Sequence, residues 1–158
     1  GAHMALNAAA AIAVSGACGV SIHSAAAALE QSSVSPMRMQ VITTDDGMTI
    51  VNDAYNANPA SMRAALDTLV GMKAARHVVI AGQMAELADS SAEHNAIVEY
   101  ARSKKIEFIA CETENYATPS FSVDDAVKVV RNGGSDVAVL VKGSRVAALE
   151  RVVQLLTN

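Results

Sequence analysis

From residue 37 onward, short apolar runs alternate with longer stretches in which apolar residues recur every three or four positions. Met39–Thr43 and Met48–Asn52 flank Asp45-Asp46-Gly47, the composition of a tight hairpin. Pro59–Val70 carries Met62, Leu66 and Leu69 on one stripe, which predicts a helix with Asn58 as N-cap and Pro59 in its first position. His77–Ala81, Ile106–Ala110 and Asp136–Val141 are continuous apolar runs of the buried, parallel-strand kind. Further helices are predicted from Ser90 to about Ser103, from Ser122 to Asn132 and from Arg145 to Leu156, with Glu112–Ser120 as a polar loop. Strands alternating with helices of this length specify an α/β fold: a Rossmann-like, mostly parallel sheet with helices on both faces.

Residues 5–31 read differently. They form an Ala-rich helix pair, the second helix opening at Ser21, and Gln31–Pro36 has the composition of a linker. The expected division is therefore 1–35 and 36–158. Helices this rich in alanine need a partner surface, so the pair, taken alone, invites artefactual self-association. Gly1–Met4 reads either as native sequence or as a cloning scar.

Composition narrows the function classes. Of the 158 residues 51% are apolar and 3% aromatic, with no Trp, so the core is aliphatic. The net charge is −4 and the longest basic run is Lys104-Lys105, which argues against nucleic-acid binding. No apolar stretch approaches a membrane span. Two distant cysteines, neither in a CxxC pair, suit a reduced cytoplasmic compartment and give no metal site.

Three connectors carry candidate chemistry, all following predicted strands. Asp53-Ala54-Tyr55-Asn56-Ala57-Asn58-Pro59 packs more hydrogen-bonding capacity into a strand-to-helix turn than a turn requires. A carboxylate there can accept both hydroxyls of a ribose, and Tyr55 can stack on a ligand; Asn58 reads first as a cap. Lys142-Gly143-Ser144-Arg145 is a strand end, loop and helix start that would suit a carboxylate or phosphate, or equally a solvated pair of cations. In Gly82–Leu87, Glu86 could hold an amine or be an ordinary surface acid. His94 reads as structural. Arg38 follows the linker and is a weak signal alone. There is no GxxxxGK[ST] phosphate loop.

Together these segments resemble the Mur ligases of peptidoglycan synthesis, and most closely the MurF branch. The resemblance rests on the 53–59 turn followed by Ser61-Met62, on Met84-Ala85-Glu86-Leu87, on Leu140–Arg145, and on Arg38-Met39-Gln40 after the linker. His3–Ala10 is similar to a helix that closes the family's central ATPase domain, with Met4 in place of an Asn. Gln83 and Ala88 depart from the usual acid and glycine.

The resemblance implies a fragment: the tail of a central domain plus a complete C-terminal domain, with no catalytic or metal-ligating residue of its own. The implied whole is an ATP- and Mg²⁺-dependent amide ligase joining D-Ala-D-Ala to UDP-N-acetylmuramoyl-tripeptide. Its N-terminal and central domains would be the partners of this chain. Asn7, Arg38, Asp53, Tyr55, Asn56 and Asn58 would then face the nucleotide, and Glu86, Lys142, Ser144 and Arg145 the second substrate. The alternatives are a sister ligase of the folylpolyglutamate synthase type, or a stand-alone binding module without catalysis.

Overall fold

The structure is a computed structural model that describes residues 2–31, 35–85, 87 and 90–158, with side chains from residue 5. It divides into two compact units, Gly1–Val34 and Ser35–Asn158. The first is a helix pair, α1 (Ala2–Ala17) and α2 (Ile22–Gln31). Gly19, at φ +84°, turns the chain between them, and the Ser21 hydroxyl caps α2 by accepting the Ser24 N–H at 3.1 Å.

The second unit is built on six strands: β1 (Gln40–Thr43), β2 (Thr49–Asp53), β3 (Arg76–Ala81), β4 (Glu107–Cys111), β5 (Ser120–Phe121) and β6 (Val137–Lys142). Their order across the sheet is β1-β2-β6-β3-β4-β5. Only the β1–β2 hairpin is antiparallel; every other pairing is parallel. Gly47, at φ +94°, closes the hairpin where Asp45-Asp46-Gly47 predicts it.

Helices α3 (Pro59–Val70) and α4 (Ser90–Ser103) cover one face, and α5 (Val123–Asn132) and α6 (Glu150–Thr157) the other. Side-chain alternation builds both cores from the same strands. Val51, Val79, Ala138 and Leu140 join Met62, Leu66 and Ile97 on the α3/α4 side. Ile50, Val78, Ile80, Val139 and Val141 join Val127, Val152 and Leu156 on the α5/α6 side. β6 is buried along its whole length, as the central strand of a doubly covered sheet must be.

Caps follow the sequence closely. Asn58 and Ser61 form a reciprocal capping box at α3, with Pro59 just inside it. Ser122 caps α5 through the Asp125 N–H. Two elements differ from expectation. Ser120, read as the end of a loop, joins Phe121 in a short edge strand that pairs with β4. The helix expected from Arg145 is broken: residues 145–147 make a single 3₁₀ turn, Ala148 turns left-handed at φ +47°, and α6 begins only at Glu150. The break carries Leu149 to full burial, against Gly82 and Gly143.

Among the described residues, no helix is long and apolar enough to cross a membrane, and no group of three metal-ligating side chains occurs. Cys111 is buried in the β4 row while Cys18 is exposed. Burial, and then the neighbouring Glu112 carboxylate, push the Cys111 thiol up to about 11. Thiol titration of the native chain should therefore label Cys18 rapidly and Cys111 only on unfolding. Two equally fast thiols would contradict this core placement.

Candidate functional site

Register decides where the chemistry sits. β2, β6 and β3 are parallel neighbours, so their carboxyl ends share one rim. Asp53 at the end of β2 pairs with Lys142 at the end of β6, and Lys142 pairs with Ala81 at the end of β3. The three connectors singled out in the sequence leave from these adjacent positions. After β2 and β3 the chain turns to the α3/α4 face, and after β6 it turns to the α5/α6 face. Such a divergence of connections is the crevice where open α/β sheets bind ligands.

Asp53 is held from two sides. Its Oδ1 accepts the Met39 N–H at 3.0 Å, and its Oδ2 accepts from Lys142 Nζ at 2.5 Å. Lys142 Nζ also donates to the Asn56 carbonyl at 2.8 Å. The Lys142 side chain is only 3% exposed, against 14% for Asp53. The expectation that Lys142 faces a ligand thus meets a side chain already buried and paired within the chain. The reason is geometric: two side chains at the ends of registered parallel strands, on one face of the sheet, are direct neighbours.

Beside this pair the surface opens. Tyr55 is 43% exposed, and the Arg38 guanidinium lies 4.1 Å above its ring centroid. The Tyr55 N–H donates to the Met37 carbonyl at 3.2 Å, tying the turn to the segment after the linker. That segment is strained: Met37 and Met39, flanking Arg38, have φ of +59° and +52°. Asn56 is exposed and folds its Oδ1 onto the Ala57 N–H at 2.7 Å. Asn58 gives its Oδ1 to the Ser61 N–H at 2.9 Å, the capping role its position before Pro59 predicts.

Ser144 is a buried tie rather than an exposed ligand. Its Oγ accepts the Ala85 N–H at 2.9 Å and donates to the Ala57 carbonyl at 3.4 Å. Its own N–H donates to the Gln83 carbonyl at 2.9 Å. One serine therefore stitches all three connectors. Where the sequence suggested a helix start, a single 3₁₀ turn stands, and the Ser144 N–H is used within the chain. Arg145 remains half-exposed, paired with Glu150 at 3.0 Å and donating to Met37 Sδ at 3.2 Å. Glu86 lies outside the described residues. Asn7 is an exposed residue of α1, in the other compact unit.

Two residues without a sequence assignment at the site support the 82–87 connector. Fully buried His94 accepts the Met84 N–H on Nε2 at 2.9 Å. Nδ1 must then carry the proton, which it donates to the Ser90 carbonyl. This agrees with a structural histidine. Tyr116 lies edge-on to His94 and donates its hydroxyl to the Gly82 carbonyl at 2.9 Å. The sequence offered one signal for it, a lone aromatic in a polar loop.

Residues 37–158 match the family profile described as Mur ligase, glutamate ligase domain. The chain belongs to this family. Among its relatives, the UDP-N-acetylmuramoyl-tripeptide–D-alanyl-D-alanine ligase of Mycobacterium tuberculosis (strain ATCC 25618 / H37Rv) is 46% identical over 104 residues, 61% of this chain and 20% of that protein. A crystal structure of MurF from Acinetobacter baumannii matches with a TM-score of 0.84 and 29% identity, over 99% of this chain and 38% of that one. The MurF ligase of Thermotoga maritima, solved in complex with ADP, shares the fold at a TM-score of 0.71 and 20% identity, over 92% of this chain and 36% of that one. The chain thus spans a fifth to two fifths of the length of these Mur ligases.

Removing the carboxylate should strand a buried ammonium. Asp53→Ala is expected to lower the unfolding free energy by about 3 kcal/mol, read by urea denaturation of the chain. Adding Lys142→Met to it should recover most of that loss. Equal instability of the single and double variants would show that the pair is not coupled in the folded state.

Proposed function

We propose that residues 36–158 are the closing domain of an ATP-dependent amide ligase that adds D-Ala-D-Ala to UDP-N-acetylmuramoyl-tripeptide in the cytoplasm. Residues 1–35 then supply the last helices of its central ATPase domain. The observation that carries the reading is the Asp53 carboxylate at the carboxyl end of β2, beside an exposed Tyr55–Arg38 pair. Family membership and the named relatives support it.

The rim fits a nucleoside. A carboxylate offers about four lone-pair sites, and Asp53 uses two inside the chain. The others suit the vicinal hydroxyls of a ribose. Arg38, stacked on Tyr55, offers a guanidinium fork to a phosphate or ring edge, and the exposed remainder of Tyr55 offers contact area. Asn56 lines the same turn. Arg145, at the neighbouring connector, suits the carboxylate of the incoming dipeptide, with Glu86 toward its amine. Ser144 serves that subsite by fixing its backbone. Asn7 is assigned to the adenine side of the site through the central domain.

In this scheme ATP phosphorylates the terminal carboxylate of the tripeptide. The dipeptide amine attacks the acyl phosphate, and ADP and phosphate leave. Mg²⁺, when bound, would supply charge neutralisation at the phosphoryl oxygens, and no residue of this chain is assigned to hold it. The chain contributes orientation and, by closing, exclusion of water from an intermediate that water would destroy.

Steady-state kinetics of the full-length ligase test the assignment. Asp53→Asn, which retains shape and removes charge, should raise the KM for ATP about tenfold and leave the KM for D-Ala-D-Ala near its starting value. An unchanged ATP KM would remove the ribose role.

A further inference from the structure

We propose that Lys142 is a positioning residue. Its buried ammonium aims the Asp53 carboxylate at the nucleotide, and it touches neither substrate. The inference rests on the reading of Asp53 as the ribose acceptor and assigns the connector after β6 a different part from the one its sequence suggests.

Three observations converge on it. First, the lysine is enclosed: 3% of its side chain is exposed, its stem follows the buried row that contains Leu140, and Ala81 is its lateral neighbour in β3. A group that meets a mobile dipeptide would stand in solvent before binding, as Arg145 does. Second, its donors are directed inward. One contacts Asp53 Oδ2 and another the Asn56 carbonyl, so a single ammonium joins the first and fourth residues of the 53–58 turn. Asn56 turns its own Oδ1 onto the Ala57 N–H. Third, the opposite carboxylate oxygen is fixed by the Met39 N–H, from a backbone held left-handed. The carboxylate is therefore clamped at both oxygens, by a cation from one neighbouring strand and by the strand entry on the other side. Its remaining lone pairs point in a set direction before any ligand arrives. Orientation established in advance lowers the entropy lost on binding.

A three-donor ammonium suits this role. Two acceptors at different angles, one charged and one a carbonyl, sit within reach of a compact point charge on a flexible stem.

The test is a double-mutant cycle on the full-length ligase, reading the KM for ATP and for D-Ala-D-Ala separately. Lys142→Met keeps the stem and removes the donors. It should raise the KM for ATP roughly fivefold while the dipeptide KM holds. Because the lysine acts through the carboxylate, Asp53→Asn/Lys142→Met should match Asp53→Asn alone in ATP KM. A raised dipeptide KM with normal ATP kinetics would make Lys142 a substrate contact and overturn the proposal. So would two single effects that multiply in the double variant. An unchanged ATP KM in Lys142→Met, with a raised one in Asp53→Asn, would overturn positioning and leave the ribose reading standing; an unchanged value in Asp53→Asn would remove both. Should Lys142→Met fail to fold with its unpaired aspartate, the double variant leaves no buried charge unpaired. Its ATP KM set against that of Asp53→Asn then decides, and a further rise would overturn the proposal.

Discussion

The rim of this domain depends on one ion pair, Lys142 with Asp53, set by strand register. Both residues end parallel strands, both lie on the α3/α4 face, and the pairing of β2 with β6 puts them side by side. A lysine at 3% exposure would be untenable without such a partner, because the desolvation of an unpaired ammonium is not recovered elsewhere. The pair in turn fixes the 53–58 turn, since the same ammonium holds the Asn56 carbonyl. Tyr55 is presented outward from a turn pinned at both ends, and Arg38 is stacked upon it.

Around that pair, the connectors are fastened to one another rather than to solvent. Ser144 bonds to both other connectors, His94 holds the Met84 N–H, and Tyr116 holds the Gly82 carbonyl. Close backbone approach is part of the same construction: a Cβ on Gly82 would lie 2.8 Å from Ala147 Cβ, and one on Gly143 would lie 3.1 Å from Gly82 Cα. These contacts make the rim a rigid surface. Rigidity of this kind suits the proposed role, in which one half of a cleft is carried to the other and must arrive preassembled. The strained residues Met37 and Met39 stand where the chain enters the domain.

Local signals made much of this legible in the sequence. The hairpin, the Asn58–Pro59 start of α3, the Ser122 cap and the buried strands each follow from residues a few positions apart. The common rim followed from one further rule, that parallel strands share an edge for their carboxyl ends. What escaped was non-local. Lys142 and Asp53 are 89 positions apart, and nothing in either segment announces that β6 enters between β2 and β3. Without that register Lys142 reads as a free cation. The break at Ala148 was hidden because Val152, Val153 and Leu156 keep a helical stripe that extrapolates backwards through it. β5 is two residues long, below what alternation can reveal. Arg38 gained meaning only from its position over Tyr55, 17 residues away.

A crystal structure of the proposed full-length ligase with ADP bound tests the Asp53–Lys142 rim most directly. Both ribose hydroxyls are expected within about 3.2 Å of the Asp53 carboxylate, with the Lys142 ammonium still between Asp53 and the Asn56 carbonyl. A ribose held by other residues, or Lys142 swung out to contact ligand with Asp53 left behind, would contradict this arrangement.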